Sequence, residues 1–177
     1  NCSLLWKSIK SLVDTNNDFA TSLRIQLIGS IDASVLSDID ANGLTQFLCN
    51  YGYLPHSKSI EVMQKSQVLL LLINQSANAK GILTGKLFEY LAAKRPILAI
   101  GPKGGDVENL IQQTNSGVFA QFNDEKDILE KLNLLWINSQ NSVSAYTSDG
   151  ISEYSREKLT EKLTIFMDRI LSQKERY

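Results

Sequence analysis

Thr84, Gly85 and Lys86 stand where a polar, glycine-bearing loop gives way to the helix-compatible stretch Leu87-Phe-Glu-Tyr-Leu-Ala-Ala93. Thr84 is placed to cap that helix, which puts Gly85 and Lys86 in its first turn. A helix amino end carries partial positive charge, so a lysine there costs a few tenths of a kcal/mol, about 0.3 or more at an exposed site. It becomes an advantage when an anion docks, because backbone N–H groups and the ammonium then converge on it. Gly85 lets the backbone approach that anion closely. Glu89 lies three residues after Lys86 on the same helical side. It can pair weakly with Lys86, or accept hydrogen bonds from ribose hydroxyls, as acidic residues do in dinucleotide-binding folds.

The spacing Gly81-x-x-x-Gly85-Lys86 invites comparison with the phosphate loop of nucleotide hydrolases. It fails twice: the glycines are one residue too close, and Leu87 replaces the magnesium-binding hydroxyl. That chemistry is excluded. His56, the single histidine, follows Pro55 in a loop and reads as solvated or packing rather than as a general base. Cys2 and Cys49 have neither metal-ligand nor disulfide spacing, and Cys49 reads as a small buried hydrophobe. No Asp-x-Asp pair is read as metal-binding, and no catalytic cation is expected.

Positioning these groups requires strands that end in loops feeding helices. The run Val68-Leu-Leu-Leu-Leu-Ile73 is apolar on both faces, as in the middle of a parallel sheet. Other strands are expected over 23–28, 47–51, 96–100 and 118–122. Helical periodicity covers a first helix to about Asp14, then 32–40, 57–66, 84–93, 106–113, 124–136 and a long final helix over 151–172. Asn16-Asn17-Asp18 reads as a break and 138–150 as an exposed polar connection. The alternation predicts an α/β fold, a doubly wound parallel sheet of about five strands with helices on both faces.

Composition agrees with a globular domain. The chain has 177 residues, 43% hydrophobic and 21% charged, with a net charge of −1. That balance argues against a phosphate-backbone binder, so no nucleic-acid partner is expected. No apolar run approaches the roughly 18 residues of a membrane span. The amino terminus lacks signal-peptide anatomy. It opens on Asn1 and almost at once enters an amphipathic helix, the expectation being a piece of a longer, cytoplasmic protein.

Thr84-Gly-Lys-Leu-Phe-Glu-Tyr-Leu-Ala92 followed by Pro96-Ile-Leu-Ala resembles the donor-nucleotide motif of GT-B glycosyltransferases, in particular the retaining group 1 (family 4) proteins. Gly52-Tyr-Leu-Pro-His56 and Met63-Gln-Lys-Ser-Gln-Val-Leu-Leu resemble the segment that precedes it. The resemblance spans roughly Leu23 to Phe122, and the order of the blocks carries it. It implies a Rossmann-like carboxyl-terminal half of a GT-B enzyme, binding a UDP- or GDP-linked sugar as donor substrate with no other cofactor and no metal. Residues 1–150 would form the nucleotide-sugar-binding domain, and 151–177 a helix packing back toward an amino-terminal acceptor domain upstream of Asn1.

By position, Thr84, Gly85, Lys86, Gly104 and Gly105 would lie at the diphosphate, Glu89 at the ribose, and Gly52, Tyr53 and Leu54 at the base. The family's first motif glutamate falls on Gly81, which leaves the contact to the hexose open. Asn74, Gln75, Lys80 and Gly81 are candidates for the donor sugar, and no catalytic residue is assigned. The family also places a glycine-ended strand and a basic residue ahead of the first helix. Polysaccharide or lipid-linked acceptors, and peripheral association with the inner membrane face through the acceptor domain, suit such enzymes. This piece by itself is expected to be inactive. Alternatives are a nucleotide-sugar epimerase of the same plan, or a non-catalytic flavodoxin-like regulatory module.

Overall fold

The computed structural model describes residues 3–141 and 145–174. Cys2 and part of the 138–150 connection lie outside them. Five strands occur among the described residues, β1 (Ile25–Leu27), β2 (Leu48–Asn50), β3 (Leu69–Leu72), β4 (Ile97–Gly101) and β5 (Gly117–Gln121). Between and around them run α1 (Ser3–Thr15), α2 (Asn17–Ser22), α3 (Ala33–Ala41), α4 (His56–Lys65), α5 (Gly85–Ala93), α6 (Asp106–Gln113), α7 (Glu125–Ser139) and α8 (Arg156–Lys174).

Every strand pairing is parallel, yet the strands form two sheets rather than one. β1 pairs with β2, and β3, β4 and β5 form a second sheet in that order. β4, flanked on both sides, is buried along its whole length. Its side chains alternate between two cores. Leu98 and Ile100 pack with α1 and α7 through Leu5, Trp6, Ile9, Ile128 and Leu135. Ile97 and Ala99 pack with Leu87 and Leu91 of α5 and Val107, Leu110 and Ile111 of α6. Helices on both faces are what strands apolar on both faces demand.

Local chemistry sets the helix starts. The Asp124 carboxylate accepts the Asp127 N–H at 3.0 Å and opens α7. Asn16 breaks the first helix after Thr15, as expected, and also caps an unexpected short helix: its side-chain oxygen accepts the Phe19 N–H at 2.9 Å. That turns Phe19 into the core, edge-on to Trp136 with ring centroids 5.4 Å apart. β5 approaches β4 so closely that a Cβ on Gly117 would lie 2.0 Å from the Ile97 carbonyl oxygen.

Two further expectations change. Cys49 sits on β2 and is half-buried. The final helix is broken: residues Ile151–Tyr154 make a 3-10 turn, and extended Ser155 precedes α8. The Ser155 hydroxyl accepts the Lys158 N–H at 3.2 Å, restarting the helix. Leu159, Leu163, Phe166, Ile170 and Leu171 on α8 are all exposed.

Candidate functional site

Parallel strands deliver their loops to one edge. Gly29 and Gly52 follow β1 and β2 and are joined by an N–H to carbonyl bond of 2.7 Å. Asn74 to Thr84 connect β3 to α5, and Pro102 to Gly105 connect β4 to α6. All the residues expected at a site except Glu89, in the middle of α5, therefore come from loops or helix starts at the carboxyl ends of the strands, where open α/β sheets hold ligands.

At the start of α5 the Thr84 hydroxyl accepts the Leu87 N–H at 3.4 Å, and the Thr84 carbonyl accepts it at 3.1 Å. No described residue accepts a hydrogen bond from the N–H of Gly85 or Lys86. A Cβ built on Gly85 meets nothing within 4 Å. Leu87 and Leu91 anchor the helix in the core, so the polar first turn is held while its outer side stays open.

Lys86 Nζ lies 3.2 Å from Glu89 Oε2 and 5.8 Å from the centre of the Tyr90 ring. Both charged side chains remain accessible, at 54% and 42%. Burial, and secondarily the Glu89 charge, push the Tyr90 hydroxyl above the usual tyrosine range. The ammonium is thus tethered beside its helix start rather than extended into solvent.

The neighbouring loops are less uniform. Gly104, in the left-handed region at φ +72°, donates its N–H to Glu108 Oε2 at 2.6 Å. A carboxylate of the chain itself occupies that donor. This contact was missed in the sequence, although a glutamate three residues after the helix-capping position is the signature of a carboxylate reaching back. Gly105 caps α6, and a Cβ there would sit 3.1 Å from the Lys80 carbonyl oxygen. That close approach joins the 3-10 turn Ala79–Gly81 to the Gly104–Gly105 loop.

Asn74, Gln75, Lys80 and Gly81 lie exposed on the β3–α5 loop. Gly52, at φ +61°, donates to Asn50 Oδ1 at 3.1 Å, and leaves Tyr53 standing out at 89% exposure beside half-buried Leu54. His56 is exposed at the start of α4. Beyond Gly29, Asp32 caps α3, its carboxyl held below the usual range by the Ser34 hydroxyl and then by the Ser34 N–H. Among the described residues no group of three or more His, Cys, Asp or Glu side chains converges. No described helix is long and apolar enough to cross a membrane. A surface groove of about 500 Å³ runs along β5, lined in part by Lys103, Glu108, Gln121 and Lys131, and contains none of the expected site residues.

No protein-family model matches the chain, and no curated protein sequence does. Solved structures do. The structure of HepE from Anabaena, in complex with UDP and glucose, matches over 96% of this chain with a TM-score of 0.63 and 14% identity. WaaG, a glycosyltransferase involved in lipopolysaccharide biosynthesis, matches over 75% with a TM-score of 0.57 and 17% identity. Sucrose-phosphate synthase from Thermosynechococcus elongatus matches over 94% with a TM-score of 0.56 and 13% identity. The chain spans 44%, 34% and 42% of those chains respectively. At these identities the likeness concerns the fold, and the chain has the Rossmann-like fold of one half of a GT-B glycosyltransferase.

Proposed function

We propose that the chain is the donor-binding half of a glycosyltransferase that moves a sugar from a UDP- or GDP-linked donor to an acceptor, with retention at the anomeric carbon. The observation that carries this reading is the amino end of α5. Two unclaimed backbone N–H groups, a glycine with open space at its Cβ position and a tethered ammonium meet there, with a carboxylate one turn farther on. That set suits a diphosphate followed by a ribose. HepE, whose structure contains UDP and glucose, shares the fold and supports the reading.

In this reading Thr84, Gly85 and Lys86 hold the diphosphate and Glu89 accepts from the ribose hydroxyls. Tyr53, with Gly52 and Leu54, covers the base. Asn74, Gln75, Lys80 and Gly81 face the sugar. As the bond from the sugar to the diphosphate breaks, negative charge grows on the departing phosphate oxygen. N–H dipoles and the Lys86 ammonium oriented beforehand stabilise that charge more than they stabilise the bound donor. Gly104 and Gly105 contribute at the diphosphate only if Glu108 releases the Gly104 N–H. An acceptor-binding domain elsewhere in the protein completes the crevice and provides any peripheral contact with a membrane. The present chain alone binds donor weakly and transfers nothing.

Calorimetric titration of the whole protein with UDP and GDP tests this. Saturable binding of one of them, weakened by Lys86→Met, is the expected result. Failure of both nucleotides to bind would remove the proposal.

A further inference from the structure

We propose that the outer edge of β5 pairs antiparallel with the same edge of a second copy of the protein, around a two-fold axis beside Val118. This inference stands on sheet geometry and does not depend on what the crevice binds.

Hydrogen-bond alternation shows which groups are left over. β5 ends the three-stranded sheet and has β4 on one side only. The Ile97 N–H donates to the Ser116 carbonyl and the Phe122 N–H to the Gly101 carbonyl, both at 3.0 Å. Direction alternates along a strand, so Ser116, Val118, Ala120 and Phe122 turn their N–H and C=O groups toward β4. Gly117, Phe119 and Gln121 turn theirs outward. Gln121 bears this out, because its N–H donates to Asp127 Oδ2 at 2.8 Å and not to β4. At the other end Asn115, with φ +44°, interrupts the extended backbone. Between these limits no described residue accepts from the N–H of Gly117 or Phe119, or donates to their carbonyls.

That remainder is self-complementary. When two such strands run antiparallel with Gly117 opposite Phe119 of the second copy, each residue's N–H meets the other's carbonyl. Both pairs form at once, related by the axis, and Val118 faces its own counterpart. Phe119 is half-buried, and its neighbour across the interface is the one position on β5 without a side chain, so the ring meets no obstruction. The Asp127 cap on Gln121 stays intact in this register.

The surroundings suit a second copy. Edges are commonly guarded by charge or proline, and β5, Gly-Val-Phe-Ala-Gln, has neither. The groove beside it is bordered on α7 by Lys126 and Lys131 together with Asp127 and Glu130. Lys131 lies 3.5 Å from Asp127, and Lys126 lies 4.0 Å from Glu130. A rim balanced in sign repels no copy of itself and offers a strongly acidic or basic peptide no field to follow. Antiparallel pairing keeps the two faces of the sheet, so α7 comes to lie beside α7 of the second copy. Leu134, 43% exposed, stands one turn beyond Glu130 and Lys131, and Ile137, 60% exposed, follows it. A two-fold contact sets the same patch against itself and covers these side chains.

Sedimentation equilibrium of the full-length protein, with amide hydrogen exchange resolved to single residues, tests the proposal. A monomer–dimer equilibrium is expected. Leu134→Lys, an exposed position, should raise its dissociation constant at least about tenfold, the scale of losing one buried apolar side chain, with the thermal midpoint of the monomer unchanged. Gly117 and Phe119 amides should exchange at least about tenfold more slowly where the dimer prevails than where the monomer does, while Val118 and Ala120 change little. A protein that stays monomeric up to about 1 mM would overturn the proposal. So would a dimer that is indifferent to Leu134→Lys, or one whose Gly117 and Phe119 amides exchange as in the monomer. Protection of those two amides at every concentration would also overturn it, by showing that another segment of the same molecule covers the edge.

Discussion

Lys86 and Glu89 form an ion pair of 3.2 Å at the start of α5, one helical turn apart and both accessible. Such a pair contributes about 0–1 kcal/mol to stability. Its interest lies in what each partner does when the other is removed. Glu89→Gln should leave unfolding free energy within about 0.5 kcal/mol of the parent. It should weaken uridine and UDP about tenfold, the scale of one hydrogen bond to a charged group, without weakening inorganic pyrophosphate. Parallel titrations with the three ligands check this. Unchanged uridine binding would remove the ribose role from Glu89.

Gly85 separates folding from binding. Apart from its chain neighbours and its own helix backbone, no described residue lies within 4 Å of a Cβ placed there. Gly85→Ala should therefore be neutral or stabilising, by about 0.4–1 kcal/mol through a less flexible unfolded chain. The added methyl group would stand where a phosphate oxygen must approach the backbone. UDP affinity should fall by about tenfold or more while thermal stability holds. A variant that binds UDP as the parent does would exclude close approach at this turn.

Gly117 gives the opposite pattern. Its missing Cβ is required by the Ile97 carbonyl, 2.0 Å from the position a Cβ would take. Gly117→Ala forces β5 away from β4 and should cost about 1–3 kcal/mol or more, measured by urea denaturation. Leu87→Ala, at a fully buried position under α5, should cost about 2–5 kcal/mol. Parent-like midpoints for both would contradict the packing described above.

Tyr90 provides an alkaline signature. Its hydroxyl titrates higher in the folded chain than in the unfolded one, chiefly because burial disfavours the phenolate. Above about pH 10 the unfolded chain loses the proton first, so the folded state binds more protons and stability falls with rising pH. The contribution is fully present below that pH and is lost as pH climbs through the raised folded value. Tyr90→Phe should flatten this part of the stability profile, measured by denaturation between about pH 9 and 11. An unaltered slope would place the titration elsewhere.

The sequence by itself determined the elements and their class. The apolar run 68–73 read as a strand and forms β3, and Thr84 and Asp124 announced their helices through capping chemistry. The same short-range rules placed the polar residues at strand ends, hence at one edge of parallel sheets. Local reading failed where the outcome depends on distant partners. Asn16 does end the first helix, but the short helix it caps was not legible, because Phe19 on that helix packs against Trp136, far along the chain. The capture of the Gly104 N–H by Glu108 needed the turn geometry of that loop. The division of the strands into two sheets was decided only in three dimensions, because a strand's composition records how many neighbours it requires but not which of them are present.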